Sequence, residues 1–309
     1  MKGKRVLITG GAGFVGSHLA HRFSEDNDVV VVDDLSAGKI ENIEGLIDSK
    51  RIQFVRGSIT DRKLMNRLCK GTDYVFHHAA IASVPKSIVD PQTTNEVGVN
   101  GTLVTLLAAR DGGARKVVFA SSAAVYGNRA KVPIEEESLP DPLSPYALTK
   151  IVGEQYCRIF DQLYGLRAVS LRYFNIFGPR QDPESEYAAV IPRFLSRALA
   201  GKDLKIFGDG KQTRDFVFVD DVVKANMLAA GSKAIGEFNI ASGKKTTIDD
   251  LAKIVLELTE KDVRIIHERP RKGDIRHSVA NIKKAKKLLD FVPTESLRDG
   301  LEKTLNASS

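Results

Sequence analysis

The sequence predicts an α/β protein with a doubly wound parallel sheet and a smaller C-terminal substrate domain. Three observations support this fold: short apolar runs recur along the first half, apolar residues at helical spacing separate them, and a glycine-rich loop follows the first run. Each run is apolar throughout rather than alternating, which is typical of strands buried on both faces. The predicted strands are Arg5–Thr9, Asp28–Asp33, Arg51–Arg56, Asp73–His77, Lys116–Ala120 and Arg167–Leu171.

Helices are predicted between these strands, and the one that contains Tyr146 has clear signals at both ends. Ser144 is suited to cap its first turn, Pro145 to its first position, and Gly165 to its C-terminal stop. These signals lie about 20 residues apart, which is enough for five turns or more. The other predicted helices contain Leu19, Ala20 and Phe23, then Leu64, Leu68 and Cys69, then Leu103, Leu106, Leu107 and Arg110.

The pattern changes after Arg172, where residues 178–187 are rich in Pro, Asp and Glu and predict a long loop. We expect a nucleotide-binding domain at residues 1–172 and a mainly substrate-binding domain at 173–309, interleaved with the first. Beyond the loop we predict helices at Ile191–Ala200 and Asp249–Leu258, and strands at Leu204–Phe207, Phe216–Val219 and Val263–His267.

Composition limits the class of protein. The chain has 309 residues, 42% apolar and 28% charged, which excludes a disordered chain, a collagen-like chain and a small disulfide scaffold. Its net charge of +7 suits nucleic acid or small anionic ligands, but no basic run with interleaved aromatic residues is present, so we expect no nucleic-acid partner. Cys69 and Cys157 have no partner at metal-ligand spacing, which favours a reducing compartment and no metal.

No targeting or membrane segment is visible in the sequence. No apolar run approaches the ~20 residues that span a bilayer, and the N-terminal apolar run stops at Thr9-Gly10-Gly11. We therefore expect a cytoplasmic protein with no membrane partner.

The glycine-rich loop at Thr9–Gly16 lies between the first strand and the first helix. Gly11, Gly13 and Gly16 fit G-x-G-x-x-G, in which the missing side chains let the backbone approach a pyrophosphate at the helix N-terminus. Asp33 ends the second strand, where a carboxylate binds the adenosine ribose hydroxyls and repels a 2′-phosphate. A ligand-free glycine turn is the alternative, but the matching strand, helix and acid favour bound NAD.

A second motif combines Tyr146 with Lys150 four residues later, on one face of the predicted helix. A lysine ammonium ~4 Å from the phenol would favour phenolate by ~4 kcal/mol at an effective dielectric of ~20. The pKa of Tyr146 would then fall by up to about three units, into the range of a general base. Ser122 follows the fifth strand at the carboxyl end of the sheet, where ligands bind in such folds. These three residues are our candidate catalytic group, rather than a solvated helix face.

These residues together resemble the extended short-chain dehydrogenase/reductase superfamily, and most closely its NAD-dependent nucleotide-sugar 4-epimerases of the UDP-galactose 4-epimerase type. The resemblance covers nearly the whole chain and implies a Rossmann-type fold. Its motifs are Thr9–Gly16, Val32–Ser36, His77–Ala80, Ser121–Gly127, Ser144–Lys150, Arg172–Asn175, Gly178–Arg180, Arg214-Asp215 and Arg271–Asp274.

The resemblance implies roles for particular residues in binding NAD and a UDP-sugar. For the cofactor it implies Gly10, Gly13, Phe14, Val15, Gly16, Asp33, Asp34, Ser36, Gly38, Ser58, Ile59, His78, Ala79, Ala80, Ala120, Tyr146, Lys150 and, beside the nicotinamide, Tyr173. For the substrate it implies Tyr126 and Ser122 at the sugar, Asn175, Arg214 and Arg271 at the pyrophosphate, Asp274 at the ribose, Val190, Ile191 and Phe207 at the uracil, and also Ser83, Lys86 and Ser278. For each arginine, a surface ion pair is the alternative.

Two positions depart from the family pattern, and a third separates possible reactions. Ser58 stands where relatives commonly carry Asp near the adenine, and Gly98 where they commonly carry Asn, so both contacts to NAD are in doubt. The related dehydratases have Asp-Glu just after the catalytic Ser or Thr, whereas Ala123 and Ala124 follow Ser122 here. The site therefore lacks an acid for eliminating water, and a simple inversion at C4 is expected.

The resemblance leaves the substrate and some rival functions open. We expect UDP-glucose and UDP-galactose as substrates, and the small Ser278 and the segment Ser83–Ser87 extend the expectation to the N-acetylated pair. A uronate 4-epimerase, a nucleotide-sugar reductase and a non-catalytic NAD-binding sensor remain alternatives. The predicted helices at Leu103–Ala109 and Tyr146–Leu163 have enough apolar surface to pair with a second copy, so we expect a homodimer.

Overall fold

The structure is a computed structural model that describes residues 1–128, 131–182, 189–270 and 275–307. Seven parallel strands form its central sheet, in the spatial order β11-β6-β5-β4-β1-β2-β3. These strands are β1 (Arg5–Thr9), β2 (Asp28–Asp33), β3 (Ile52–Arg56), β4 (Tyr74–His77), β5 (Lys116–Ser122), β6 (Arg167–Tyr173) and β11 (Gly236–Ile240).

The remaining strands form three two-stranded sheets beside the central one. They pair β7 (Asn175–Phe177) with β10 (Phe216–Phe218), β8 (Leu204–Phe207) with β13 (Ile265–Glu268), and β9 (Thr213–Arg214) with β12 (Thr246–Thr247).

Helices cover both faces of the central sheet. They are α1 (Phe14–Phe23), α2 (Glu44–Asp48), α3 (Arg62–Cys69), α4 (Val84–Val89), α5 (Pro91–Asn95), α6 (Gly101–Asp111), α7 (Pro145–Tyr164), α8 (Val190–Leu199), α9 (Val219–Gly231), α10 (Ile248–Thr259), α11 (Lys283–Leu289) and α12 (Leu297–Asn306). A π-helical turn at Glu96–Asn100 joins α5 to α6, and a short 3₁₀ turn at Ala123–Tyr126 follows β5.

The doubly wound α/β class is confirmed by this sheet, and the six strands predicted from apolar runs are all present. Alternate residues of the strands enter two separate apolar clusters. Val6, Ile8 and Val31 pack on one face with α1 and α9, whereas Leu7 and Val30 pack on the other with α3 and α6. Burial on both faces explains why these runs lack polar alternation.

The seventh strand was not predicted, and it comes from much later in the chain. β11 pairs in parallel with β6, with Gly236 opposite Val169 and Ile240 opposite Tyr173. A third apolar cluster lies outside the central sheet and joins α8, α10 and the β7–β10 pair, through residues such as Phe177 and Leu195.

Within the described ranges, no helix has the length and apolar character needed to cross a bilayer. The same part of the chain shows no group of three or more His, Cys, Asp or Glu side chains arranged to hold a metal ion. Cys69 and Cys157 are both buried and unpaired with each other.

Candidate active site

The glycine loop forms a backbone cradle between β1 and α1. Gly10 has a φ of +69°, and a Cβ atom there would lie 2.6 Å from the backbone nitrogen of Ala79. A Cβ at Gly16 would collide with the carbonyl oxygen of Gly10. Gly13 precedes α1 in an extended conformation with no side-chain cap, so its first N–H groups are available to an anion. Only glycine therefore allows this close approach of backbone to backbone and to a ligand.

Asp33 lies at the carboxyl end of β2, facing this cradle. Its carboxylate accepts hydrogen bonds from the backbone N–H of Ala12 at 3.0 Å and of Leu35 at 2.8 Å. Burial raises its pKa above the ordinary value, and the two backbone bonds oppose that rise. Gly38 packs so closely that a Cβ there would lie 2.9 Å from Asp33 Oδ2. The carboxylate is therefore held in one orientation at the rim of the cleft.

One cleft brings together ten of the residues implied for the cofactor. They are Gly10, Gly13, Asp33, Asp34, Ser36, Gly38, Ile59, His78, Ala79 and Ala80. Val32, Ala37, Gly57, Ile81 and Val97 also line it and were not predicted, because small and apolar wall residues carry no distinctive signal in the sequence. Ser58 is not among the lining residues, and its hydroxyl bonds that of Thr60 at 2.9 Å.

The remaining cofactor candidates lie around this cleft. Phe14 and Val15 begin α1, and Gly16 closes the loop behind them. Gly98, one of the departures from the family pattern, lies against α7, where a Cβ atom would be 2.7 Å from the Thr149 Cβ. An asparagine could not replace Gly98 here without a shift of α7.

The structure brings Ser122, Tyr146 and Lys150 together at the carboxyl end of the sheet. Helix α7 begins and ends where predicted, with the Ser144 hydroxyl accepting from the Ala147 N–H at 3.2 Å and Gly165 in the left-handed conformation at φ 66°. Ser122 ends β5, its hydroxyl accepts from the Ala124 N–H at 3.1 Å, and it lies close enough to the Tyr146 phenol to influence the phenol's pKa.

The electrostatics of this group differ from the expectation. Burial raises the pKa of Tyr146 above its usual value, and the Ser122 side chain opposes the rise. Lys150 Nζ lies over the phenol ring and donates to the Ala120 carbonyl oxygen at 2.7 Å. The predicted fall in the Tyr146 pKa is therefore wrong for the protein without its cofactor, because burial outweighs an ammonium directed at the backbone. Burial also lowers the pKa of Lys150 to about 8.

Two histidines at the end of β4 adjoin this group. His77 is buried between Thr9 and Thr102, and His78 Nε2 lies 3.0 Å from the Tyr173 hydroxyl. Burial, aided by the charge of Lys150, lowers the pKa of both rings to about 3, so both are neutral. His78 also lines the cofactor cleft. The glycine cradle, where a Cβ atom at Gly10 or Gly16 would meet backbone atoms, fits a bound dinucleotide.

A second cavity, of about 590 Å³, contains five of the residues implied for the substrate: Asn175, Val190, Ile191, Phe207 and Arg214. The Asn175 amide donates to the Asp215 carbonyl at 3.1 Å, and Arg214 Nη1 donates to the Thr213 carbonyl at 2.9 Å. Further lining residues were not predicted: Val84, Pro85, Ile176, Ala189, Arg193, Phe194, Lys205, Ile206, Gln212, Phe216 and Ile248. The cavity combines aromatic, aliphatic and cationic walls, as a nucleotide requires.

Four implied substrate residues lie elsewhere. Tyr126 does not line the sugar site: it is fully buried, donates to Asn239 Oδ1 at 2.6 Å and accepts from Arg172 at 2.9 Å, so that expectation is wrong. Ser278 is buried and donates its backbone N–H to the carbonyl of Thr213, which lies between the lining residues Gln212 and Arg214, although Ser278 itself does not line the cavity. Ser83 caps α4 by accepting from the Lys86 N–H, so these two flank the lining residues of the cavity.

Two other implied residues, Arg271 and Asp274, lie outside the described residues. Of the residues that the resemblance implies for the pyrophosphate, Asn175 and Arg214 are the two that line the cavity.

The fold and this site define a dinucleotide-dependent enzyme with a separate cavity for a nucleotide-linked substrate. A sequence profile of the NAD dependent epimerase/dehydratase family matches residues 6–241. The chain belongs to that family, and NAD is its cofactor.

Individual relatives match along almost the full chain. A UDP-glucose 4-epimerase of Mycolicibacterium smegmatis is 39% identical over 305 residues, covering 97% of each chain. A solved UDP-N-acetylglucosamine 4-epimerase from Methanobrevibacter ruminantium, in complex with UDP-N-acetylmuramic acid, is 40% identical with a TM-score of 0.97, covering 100% of this chain and 99% of that one. A UDP-glucose 4-epimerase from Thermotoga maritima with UDP-glucose is 40% identical with a TM-score of 0.94, covering 98% of each chain.

Proposed function

We propose that this protein inverts the configuration at C4 of a UDP-hexose through a transient 4-keto sugar. The observation that carries the proposal is the meeting of Ser122, Tyr146 and Lys150 at the edge of the sheet that also holds the glycine cradle. Ala123 and Ala124 follow Ser122, so the 3₁₀ turn offers no acid for an elimination. NAD, held by the glycine cradle and Asp33, would supply reversible hydride transfer at C4.

In this proposal the protein's own groups move one proton and hold the sugar. Tyr146, as phenolate, takes the proton of the 4-hydroxyl and later gives it back, while the Ser122 hydroxyl bonds the reacting oxygen. Lys150 favours the phenolate by its charge. Arg214 and Asn175 hold the pyrophosphate while the keto sugar turns about it, since a guanidinium matches phosphate geometry. Arg271 and Asp274 complete the proposed grip.

We propose UDP-glucose and UDP-galactose as substrates, and the N-acetylated pair as a second one. The likeness to the M. ruminantium enzyme supports the N-acetylated pair. Galactose metabolism in the cytoplasm is the setting that we propose. We also propose that residues 1–172 form a domain that binds NAD and that residues 173–309 form a domain that mainly binds the nucleotide sugar.

A homodimer formed through α6 and α7 is part of the proposal. The outer face of α7 exposes Leu148, Ile159, Leu163 and Tyr164, with Leu163 at 71% of its maximum. Apolar side chains at this helical spacing match the seam of two paired helices, related by two-fold symmetry.

The deciding experiment incubates the purified protein with UDP-galactose, and separately with UDP-N-acetylgalactosamine, without added NAD. Formation of the C4 epimer supports the proposal. If only UDP-glucuronate is epimerised, or if a reduced sugar accumulates with added NADH, the protein is a uronate epimerase or a reductase instead. No turnover of any UDP-sugar by NAD-loaded protein contradicts an enzymatic role for the site.

A further inference from the structure

A buried group of polar side chains adjoins the catalytic group on the α7 side. Glu154 stands one turn after Lys150 and two turns after Tyr146, so all three share one face of α7. The Glu154 side chain is only 1% exposed. A buried carboxylate is costly unless it is paired and hydrogen-bonded, so its partners define what it does.

Three strong hydrogen bonds from two residues, Arg172 and Ser121, hold Glu154. Arg172 donates from Nε to Oε1 at 2.8 Å and from Nη2 to Oε2 at 2.7 Å, which is the bidentate geometry of a strong ion pair. The Ser121 hydroxyl donates to Oε1 at 2.5 Å. Arg172 also donates from Nη1 to the Tyr126 hydroxyl and to the Glu136 carbonyl, each at 2.9 Å. The carboxylate is therefore fixed in one orientation.

These partners are the immediate neighbours of site residues. In the register of β5 and β6, Ser121 lies opposite Arg172, and the next pair along is Ser122 opposite Tyr173. The Glu154 carboxylate thus joins α7 to the ends of two adjacent strands. Ser121 is next to Ser122 in the chain, and Glu154 lies one helical turn from Lys150; the proposed mechanism uses both Ser122 and Lys150.

The charge of Glu154 also acts on Lys150. His77 and His78 are neutral, and burial raises the pKa of the Cys157 thiol to about 12, so it too is uncharged at neutral pH. Glu154 raises the pKa of Lys150 against the larger effect of burial. The titratable groups that face Lys150 are Tyr146, Glu154 and Cys157 on α7, and His77 and His78 at the end of β4.

We propose that Glu154, held by Arg172 and Ser121, is a positioning residue that keeps Lys150 protonated and fixes α7 against the ends of β5 and β6. The inference rests on the proposed function, because there Lys150 acts as a cation beside Tyr146. Without the Glu154 charge, burial would remove the proton from Lys150 at a lower pH, and the phenolate would lose its counter-ion.

The test is an NMR titration of the Lys150 side chain in NAD-loaded protein, with its signal assigned by comparison with Lys150→Arg. Glu154→Gln should lower the titration midpoint by about one unit, a tenfold loss of proton affinity. Glu154→Asp keeps the charge and should return the midpoint close to that of the wild type. The titration needs no sugar, so a failure of the proposed epimerisation is detected separately.

The matched control is Glu237→Gln. Glu237, on β11, is also a buried glutamate, 9% exposed, and it pairs at 3.0 Å with Arg158 of α7, the helix that carries Glu154. Glu237 is not among the groups that change the pKa of Lys150. The Lys150 titration midpoint of Glu237→Gln should therefore equal that of the wild type.

A double variant distinguishes the loss of the Glu154 charge from a failure to fold. Glu154→Leu combined with Arg172→Leu removes both buried charges, an exchange that folded proteins commonly tolerate. We expect this variant to fold, by circular dichroism, and to keep the lowered Lys150 midpoint. If Glu154→Gln does not fold, the double variant decides the result. A wild-type midpoint in either folded variant overturns the proposal.

Discussion

Lys150 Nζ lies 5.7 Å from the centre of the Tyr146 ring and gives its hydrogen bond to the Ala120 carbonyl. In this arrangement burial of the phenol prevails, and its pKa is raised. The lysine alone therefore does not turn Tyr146 into a base. The positive charge that a bound oxidised nicotinamide would add pushes the phenol in the direction that the proposed mechanism needs.

Replacement of Tyr146 by phenylalanine tests the proposed base. Turnover of UDP-galactose by Tyr146→Phe should fall by about a thousandfold, the contribution typical of a general acid–base group. The bound NAD should remain, because the glycine cradle is untouched. Tyr164→Phe, at an exposed position of the same helix, is the control and should keep wild-type turnover. Near-normal activity in Tyr146→Phe would contradict the assignment.

The pH dependence of turnover reports on Lys150. Its pKa is lowered to about 8, so the ammonium is present below that pH and is lost as the pH rises through it. Because the proposed mechanism uses the charged form, turnover should decline above about pH 8. In Lys150→Arg, which stays charged, the residual activity should not show this decline. A decline at the same pH in both proteins would assign it to another group.

The glycine cradle is tested by two alanine substitutions with the same backbone strain. Gly10 and Gly71 have φ angles of +69° and +71°, but only at Gly10 would a Cβ meet backbone atoms, those of His78 and Ala79. Both variants should lose about 1 kcal/mol of stability from the left-handed conformation. Gly10→Ala should in addition purify without NAD, whereas Gly71→Ala should retain it. Equal NAD content in the two would reject the cradle as the cofactor site.

Arg214 is the described cation of the proposed pyrophosphate grip. Loss of a charge-assisted hydrogen bond costs about 1.5–3 kcal/mol, so Arg214→Ala should raise the KM for UDP-galactose by roughly ten- to a hundredfold. Arg264→Ala removes an arginine that pairs with Asp203 on the surface, and it should leave KM unchanged. An unaltered KM in Arg214→Ala would place the pyrophosphate elsewhere.

The proposed dimer is tested on the outer face of α7. Leu163→Glu places a charge on the exposed apolar face of α7 and should yield a monomer by light scattering after size-exclusion chromatography. Leu288→Glu changes a leucine of similar chemistry on α11, 50% exposed, and should leave the assembly as it is. A monomeric wild-type protein, or a Leu163→Glu dimer, would remove α7 from the interface.

Inner strands such as β1 and β2 could be predicted from the sequence because they are buried on both faces and therefore form unbroken apolar runs. The edge strand β3 was predicted although its Gln53 is exposed, because Ile52, Phe54 and Val55 still indicate a strand. β11 was missed because Glu237 and Asn239 interrupt its apolar pattern. Both are buried and paired, with Arg158 and Tyr126 respectively, and a sequence does not show such distant partners.

The site shows the same division between local motif and distant contact. The glycine loop, Asp33 and the Tyr146–Lys150 spacing are local patterns, and the structure groups them as the sequence indicates. Tyr126 was misplaced because a motif identifies a residue but not the direction of its side chain. The ion pair between Glu154 and Arg172 joins residues 18 positions apart, and no local sequence pattern predicts it.

The late position of β11 in the chain affects how the central sheet folds. The strand beside Tyr173 is supplied by residues 236–240, so a fragment that stops near residue 172 keeps the pairing of β6 with β5 but leaves the side of β6 that faces β11 unpaired. An unpaired strand edge of this kind can pair with strands of other molecules and cause aggregation. During synthesis on the ribosome, β6 must wait for more than sixty further residues, counted from 173 to 235, before its second partner strand is made.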